Sequence, residues 1–362
     1  MDVKDYKIAV VGAGPMGGIL GAFLAQKNVD VTLVDIWKEH MDAIREKGLT
    51  IGGVETLTSQ FTTDHLITSI SDLKDIKLDL VFIATKASVL EPVVNELKMV
   101  IPENTFVVSY QNGIGNEEFL AKVFGDERVF RVIINYAGNI IEPGKVDMTF
   151  FNPPNVIGSV SPKNHVLAKS IAELMSETGL ITEFQEDIKP AEWKKAILNA
   201  ALGSLCAITR ATMREAMDFP DTRAIVSDTL KEGLAVAEAI GITFEADFHD
   251  KCIAYLSKGG HHKPSTLIDV ENRKQTEISF LNEKIAEIGK KHNVPVPVNQ
   301  AITALVKIID AFNKRDQQYI NTKVKEMGLE DRCVDCYYAK DCIDVFHCCP
   351  FSGEVIPSKT VP

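Results

Sequence analysis

Lys195 and Asn199 are the first pair of residues in this chain whose types and spacing could do chemistry. They stand four positions apart in a helix-like segment, Glu192 to Asn199, and therefore lie one helical turn apart on the same face. A lysine and an amide held side by side could grip a carbonyl oxygen, and the lysine could donate a proton as hydride arrives at carbon. On spacing alone, a solvent-exposed lysine with a helical neighbour is the simpler interpretation.

A second set of polar residues follows later in the chain. Ser265 and Asp269 frame one short segment, and Glu277 opens a predicted helix after Gln275 and Thr276. Glu277 near a helix N-terminus could simply complement the helix dipole. In an active site, the same carboxylate could bind a substrate hydroxyl or fix the position and charge of a lysine. The residues alone leave both interpretations open.

The elements that must position these residues begin with a glycine-rich turn. The apolar run Ile8–Val11 breaks into the hexapeptide Gly12–Gly17 and continues as a helix-like stretch, Gly18–Gln26. The next strand-like run, Val31–Val34, ends in Asp35, about 20 residues on, as a dinucleotide-binding βαβ unit requires. The pattern predicts dinucleotide binding rather than a plain glycine-rich turn.

Each glycine of the turn has a distinct predicted function. Gly12 makes the tight turn, Gly14 lets the backbone approach a pyrophosphate, and Gly17 lets the helix lie close to the strand. The helix N-terminus would then bind the phosphates through its N–H groups. The candidate cofactor-binding residues in this turn are Gly12, Ala13, Gly14, Pro15, Met16 and Gly17.

Asp35 bears on the choice of cofactor. A carboxylate at the end of the second strand accepts hydrogen bonds from a ribose 2′-hydroxyl and repels a 2′-phosphate. Ile36 follows, where an NADP enzyme often places arginine, although Lys38 is nearby. The sequence therefore favours NAD(H) over NADP(H), with a solvated strand-end carboxylate as the alternative.

The distribution of apolar runs predicts an α/β chain with a Rossmann-type, doubly wound N-terminal domain over residues 1–185 and an all-helical substrate domain over residues 186–330. The first domain is expected to contain a parallel sheet covered on both faces. In the second, Gly241 and Gly328 are expected to stop helices. The predicted strands are Ile8–Val11, Val31–Val34, Leu80–Ala84, Phe106–Ser109, Val129–Asn135 and Asn155–Gly158; the predicted helices of the second domain are Asp221–Ile240, Thr276–His292 and Val298–Met327.

Composition excludes several classes of partner. The net charge of −11 and the lack of a Lys/Arg-rich run argue against nucleic acid and against an anionic membrane surface, though not against a small anionic substrate. No run is long enough to span a bilayer, so a cytoplasmic location is expected. Cys206 and Cys252 are isolated in helical sequence and are expected to be packed.

Residues 331–362 form a cysteine-rich tail. Cys333, Cys336, Cys342, Cys348 and Cys349 crowd together there, with His347 beside the last pair. Such thiolates could bind zinc or an iron–sulfur cluster, but the later spacings match no defined motif, so the metal is unknown. A redox-labile tail or packed, unliganded cysteines are the alternatives, and disulfides are disfavoured in a reducing compartment.

Six short motifs, taken in order, resemble the ketopantoate reductase family (2-dehydropantoate 2-reductase). The resemblance spans most of residues 7–325. It implies NAD(P)H-dependent reduction of a 2-oxo acid to a 2-hydroxy acid, ketopantoate to pantoate being the leading reaction, and a homodimer. The motifs are Gly12-x-Gly14-x-x-Gly17, Thr85-Lys86-Ala87, Gln111-Asn112-Gly113, Trp193-x-Lys195-x-x-x-Asn199, Ser265-x-x-x-Asp269 and Thr276-Glu277-Ile278.

The resemblance also implies roles for single residues. Lys195 is similar to the family's proton donor, Glu277 to the glutamate that holds substrate or cofactor near that lysine, and Ser265 to the serine on the substrate carboxylate. Asn112 and Asn199 resemble the asparagines that line the pocket, with Asn112 and Lys86 also on the cofactor side.

The chain also departs from the family pattern. Gly203 stands where many members carry another pocket asparagine, and Val89 stands where a polar cofactor contact is common. These departures keep open a related dehydrogenase acting on another hydroxy or oxo acid or an opine-type substrate. A non-catalytic nucleotide- or metal-sensing protein is the remaining alternative.

Overall fold

The computed structural model describes residues 3–327 of the chain, and their side chains as far as residue 322. Its contacts divide the chain into two compact units, and the division falls between Ala196 and Ile197. The first unit contains all the strands of the described residues, and the second contains only helical elements.

Short, mostly apolar segments form the strands at the centre of the first unit, because a strand covered on both faces buries nearly every side chain. The six strands predicted from the sequence are all present, and their ends agree to within two residues. In chain order the strands are β1 (Ile8–Val11), β2 (Val31–Val34), β3 (Leu49–Gly53), β4 (Leu57–Ser59), β5 (Leu66–Ile67), β6 (Leu80–Ile83), β7 (Phe106–Ser109), β8 (Val129–Ile133), β9 (Tyr136–Glu142), β10 (Lys145–Phe151), β11 (Asn155–Ser159) and β12 (Thr182–Phe184).

The larger sheet has the strand order β12-β11-β8-β7-β6-β1-β2-β5. Its pairs from β8 to β5 are parallel, as predicted, but β11 runs antiparallel to β8. The parallel sheet expected from the sequence is therefore present, with one antiparallel pair that was not predicted. The chain travels from β8 to β11 through β9 and β10 and has no helix there, whereas parallel neighbours are usually joined by a crossover helix.

A smaller sheet with the order β4-β3-β10-β9 was not predicted. It packs against the first helix of the chain, since Val146 and Met148 of β10 share a hydrophobic cluster with Ile19 and Leu20. Helices cover the larger sheet. In chain order they are α1 (Pro15–Gln26), α2 (Lys38–Lys47), α3 (Leu90–Val100), α4 (Asn116–Phe124), α5 (His165–Thr178) and α6 (Lys189–Leu198).

The second unit consists of helices, as predicted. A π-helical turn, Asn199–Gly203, follows α6 directly. Gly241, with φ of 87°, follows the end of α9 and serves as its predicted stop. The helices are α7 (Ser204–Thr209), α8 (Met213–Asp218), α9 (Pro220–Ala239), α10 (Phe248–Leu256), α11 (Ser265–Glu271), α12 (Asn282–Lys291) and α13 (Pro297–Met327).

The predicted helix Thr276–His292 was wrong in its first turn and a half. A short 3-10 segment, Ile278–Phe280, is followed by a break at Leu281, and α12 begins only at Asn282. Thr276 donates from its backbone N–H and its hydroxyl to Asp310 of α13, at 3.3 and 2.7 Å. These bonds hold the segment outside the helix that its apolar spacing suggested.

Cys206 and Cys252 are buried, as predicted. The five tail cysteines and Gly328 lie outside the described residues. Within residues 3–327, no helix is long and apolar enough to cross a bilayer, and no group of three His, Cys, Asp or Glu side chains could hold a metal ion.

Candidate active site

The glycine-rich turn between β1 and α1 is built on two close approaches. A Cβ atom at Gly12, whose φ is 99°, would lie 2.8 Å from the Thr85 nitrogen, and one at Gly17 would lie 1.9 Å from the Gly12 oxygen. A Cβ at Gly14 would meet nothing within 4 Å. Two glycines are thus required by packing, while the third faces open space beside the first turn of α1, where a pyrophosphate would fit.

Asp35 stands at the carboxyl end of β2 and is tied to this turn. Its Oδ2 accepts a hydrogen bond from the Ala13 N–H at 2.8 Å, and its Oδ1 accepts one from the Trp37 N–H at 2.9 Å. Each carboxylate oxygen has a second lone pair that can accept a hydrogen bond from a ribose hydroxyl. Ile36 is 90% exposed and presents no cation next to Asp35.

His40, which sequence reasoning missed, holds the other side of Ala13. Gly144 N–H donates to its Nδ1 at 3.1 Å, so the ring is neutral and Nε2 donates to the Ala13 oxygen at 3.1 Å. Burial lowers the pKa of His40, which keeps the ring in this form. The ring also stacks on Trp37. A histidine in a charged helix gave no signal of this role.

Two buried tyrosines secure the start of α1. Tyr136 donates its hydroxyl to the Met16 oxygen at 2.9 Å, and the Tyr110 and Tyr136 hydroxyls lie 2.8 Å apart. Burial raises the pKa of both phenols, so both remain neutral. Neither was identified from the sequence.

Lys86 and Asn112 follow neighbouring strands at this same edge of the sheet. Lys86 is exposed in the loop after β6, and Asn112 is half-buried in the loop after β7. Gln111 joins the two loops, because its Nε2 donates to the Thr85 oxygen at 2.8 Å. The carboxyl ends of parallel strands are where such folds bind dinucleotides.

Lys195 lies at the carboxyl end of the next strand. It is half-buried on α6, and its ammonium donates a hydrogen bond to the Ile134 oxygen just after β8. The first unit therefore brings the glycine turn, Asp35, Lys86, Asn112 and Lys195 to the carboxyl ends of β1, β2, β6, β7 and β8.

The second unit contains the other candidates. Asn199 begins the π turn, and the Ala200 oxygen of that turn accepts a hydrogen bond from Asn282 at 3.1 Å. A Cβ at Gly203 would lie 3.3 Å from the Thr266 hydroxyl, so the π turn and the start of α11 pack closely there. π turns inside α-helices are frequent at functional sites.

Ser265 and Glu277 differ in their surroundings. Ser265 is exposed at the first position of α11, whereas Glu277 is buried just before the 3-10 segment. Glu277 is not in the first turn of a long α-helix, so the alternative interpretation, in which it complements a helix dipole, loses its basis.

Comparison with known proteins decides the family. Residues 8–162 match the profile described as "Ketopantoate reductase PanE/ApbA", and residues 187–310 match "Ketopantoate reductase PanE/ApbA C terminal". The 2-dehydropantoate 2-reductase of Pyrococcus horikoshii is 32% identical over 301 residues, covering 83% of this chain and 96% of that protein. The chain belongs to the ketopantoate reductase family. The corresponding enzyme of Lactococcus lactis is 30% identical over 305 residues, covering 83% and 96%.

Solved structures of ketopantoate reductase relatives have the same fold. A D-mandelate dehydrogenase with NADH and anilino(oxo)acetate has a TM-score of 0.77 at 27% identity, covering 85% of this chain and 99% of that one. A family member from Ralstonia eutropha JMP134 has a TM-score of 0.76 at 26% identity, with the same coverage. The protein is thus an NAD(P)-dependent oxidoreductase of CH–OH groups, with a Rossmann-type unit followed by a helical one.

The two kinds of glycine in the turn predict two different mutant behaviours. Gly17→Ala forces a methyl group against the Gly12 oxygen and should lower the free energy of unfolding by about 1–3 kcal/mol. Gly14→Ala meets no protein atom and should keep the melting temperature while weakening NADH binding roughly tenfold, or about 1.4 kcal/mol. Calorimetry and NADH fluorescence titration measure both. Equal melting temperatures for the two variants would contradict this assignment.

Proposed function

We propose that the protein reduces a 2-oxo acid to the 2-hydroxy acid with NADH, that ketopantoate is its substrate, and that Lys195 is the proton donor. The observation that carries the proposal is the position of the Lys195 ammonium. It donates a hydrogen bond to the Ile134 oxygen at the carboxyl end of β8. The glycine turn and Asn112 lie at the carboxyl ends of other strands of the same sheet. A lysine on a solvated helix face would have no reason to be fixed there.

Lys195 would act on the substrate oxygen. The nicotinamide group, when bound, supplies the hydride. As negative charge develops on the former ketone oxygen, the ammonium of Lys195 stabilises it and then transfers one proton to it, which leaves a neutral hydroxyl group. A fixed cation favours this charge more than it favours the ketone, which is the requirement for lowering the barrier. The Ile134 oxygen orients the ammonium by accepting a hydrogen bond from one of its three N–H groups.

The remaining roles follow from the family resemblance. Ser265, exposed at the start of α11, would donate to the substrate carboxylate, and Asn112 and Asn199 would bind polar groups of substrate or cofactor. Glu277 would accept a hydrogen bond from a substrate hydroxyl or fix the position of Lys195. Lys86, exposed after β6, would contact the cofactor.

Preference for NADH is proposed from Asp35. Its carboxylate lies at the end of β2, and the adjacent exposed residue is the apolar Ile36. A 2′-phosphate there would meet a negative charge without an arginine to compensate it.

A substrate and cofactor panel tests the reaction. We expect turnover of ketopantoate, with a higher kcat/KM for NADH than for NADPH by at least about tenfold, which corresponds to about 1.4 kcal/mol. Oxidation of either cofactor is followed at matched concentrations of ketopantoate, phenylglyoxylate and unbranched 2-oxo acids. Equal rates with the two cofactors would refute the Asp35 argument.

The same panel tests a second candidate reaction. D-mandelate dehydrogenase is one of the similar solved structures, and Gly203 leaves no side chain at a position where the family pattern places an amide. Turnover of phenylglyoxylate but not of ketopantoate would keep the Lys195 chemistry and replace the substrate. A further set of assays contains an amine together with each 2-oxo acid, because opine-type activity needs both substrates.

Removing the ammonium of Lys195 tests the mechanism. Lys195→Ala should lower kcat by about 10²–10⁴, as expected for loss of a general acid. Lys194→Ala is the matched control, because Lys194 is its exposed neighbour on α6 and should keep kcat close to wild type. A Lys195→Ala enzyme that retains wild-type turnover would rule out this role, whereas a wild type that binds NADH but turns over none of the acids would favour a non-catalytic, nucleotide-sensing protein.

We also propose that the protein is a homodimer. Leu305, Ile308, Phe312 and Tyr319 are 38–50% exposed on α13, and their spacings of about three, four and seven residues place them on one helix face. A second copy of the chain would cover this apolar stripe in a symmetric contact. Sedimentation equilibrium should give a dimer for wild type and a monomer for Ile308→Glu. A wild-type monomer would refute the proposal.

A further inference from the structure

A cluster of four buried or half-buried charges lies within the first unit. Arg131 of β8 is 2% exposed, and Glu117 of α4 and Glu192 of α6 are 1% exposed. The Arg131 Nε atom lies 3.7 Å from the Glu117 carboxylate and 3.5 Å from that of Glu192. Lys189 contacts both carboxylates, at 3.1 Å for Glu192, and also reaches the exposed Glu118.

The two carboxyl groups do not carry equal charge. Both contact the same two cations, Arg131 and Lys189, and burial, reinforced by the charge of Glu117, raises the pKa of Glu192 to about 8. Burial opposes ionisation of Glu117 as well, but Arg131 and Lys189 together lower its pKa. At neutral pH the pair therefore holds one proton, on Glu192, and Glu117 is ionised.

This cluster is joined to the loop that carries Asn112. Arg131 donates to the Gly113 oxygen at 2.8 Å and to the Ser109 hydroxyl at 2.7 Å. From the other side, Asn116, which precedes Glu117, donates to the Asn112 oxygen at 2.8 Å. Arg131 and the start of α4 thus hold the loop from both ends.

The cluster is also joined to the helix that carries the proton donor. Glu192 and Lys189 lie in the first turns of α6, and Lys195 follows on the same helix. The helices α4 and α6 and the strand β8 therefore meet at the Glu192 carboxyl group.

We propose that Glu192 is a positioning residue: the proton it shares with Glu117 lets Arg131 hold the Asn112 loop, and loss of that proton weakens cofactor binding. When both carboxylates are ionised, they repel each other in a buried site and compete for Arg131. Arg131 then binds the Gly113 oxygen and Ser109 less tightly. The proposal rests on the proposed role of Asn112 in cofactor binding.

The test measures NADH affinity against pH, by fluorescence titration of the full-length protein from about pH 6 to about pH 9, a range that spans the two ionisation states. Wild type should bind severalfold more weakly above a step near pH 8. Glu192→Gln, which cannot ionise, should lack the step. Glu118→Gln, an exposed neighbour that also contacts Lys189, should keep it.

Thermal unfolding supplies a second readout. The folded state retains a proton on Glu192 that the unfolded state loses above the ordinary glutamate pKa, so stability falls as pH rises from there to about 8. The melting temperature of Glu192→Gln relative to wild type should therefore rise across this window. Glu117→Gln leaves Glu192 with both cations and no carboxylate partner, so its step should move to lower pH.

Three outcomes would overturn the proposal: a wild type without the step, a step that persists in Glu192→Gln, or an unmoved step in Glu117→Gln. A purely structural role would lower melting temperatures without changing the pH profile of binding. Failure of wild type to bind NADH at every pH would instead refute the cofactor assignment itself, and this proposal with it.

Discussion

The contact between Gly17 and the Gly12 oxygen constrains everything built around it. A methyl group at Gly17 would lie 1.9 Å from that oxygen, so α1 reaches its position only because no side chain is present. Once α1 lies this close, its first turn stands at the carboxyl end of β1. Asp35 and His40 then hold Ala13, and Tyr136 holds Met16. Polar side chains from other segments of the sequence thus fix the glycine-rich turn through hydrogen bonds to its backbone.

The sequence predicted those parts of the fold that local patterns determine. The central strands are buried on both faces and appear as short, mostly apolar runs, interrupted in β2 by Thr32 and in β8 by Arg131. The smaller sheet was missed although β10 alternates Val146 and Met148 with Lys145 and Asp147, as a half-buried strand does. Its pairing with β3, which lies far earlier in the chain, could not be read from that local pattern. The break before α12 depends on Asp310, far along the chain, which no local pattern could reveal.

The same division applies to the candidate site. The glycines and Asp35 were predicted from spacing along one segment, and Lys195 was predicted from the family resemblance, since its spacing alone favoured an exposed lysine. Arg131, Glu117 and Glu192 resemble solvated charges in the sequence, and only the fold shows that they are buried together. The π turn at Asn199 was equally hidden, since its freed Ala200 oxygen is satisfied by Asn282 from another helix. Residues that support the site come from distant segments and leave no spacing to recognise.

Asp35 links the stability of the glycine-rich turn to the proposed choice of cofactor. Its Oδ2 is the acceptor for the buried Ala13 N–H, so it helps to fold the same turn whose ligand it would select. Exchange for a residue suited to a 2′-phosphate would strand that donor, at a cost of about 1–3 kcal/mol. If Asp35 selects the cofactor as proposed, replacing it to admit a 2′-phosphate also requires a new acceptor for the Ala13 N–H, so a single substitution would exchange one ligand preference for a less stable turn.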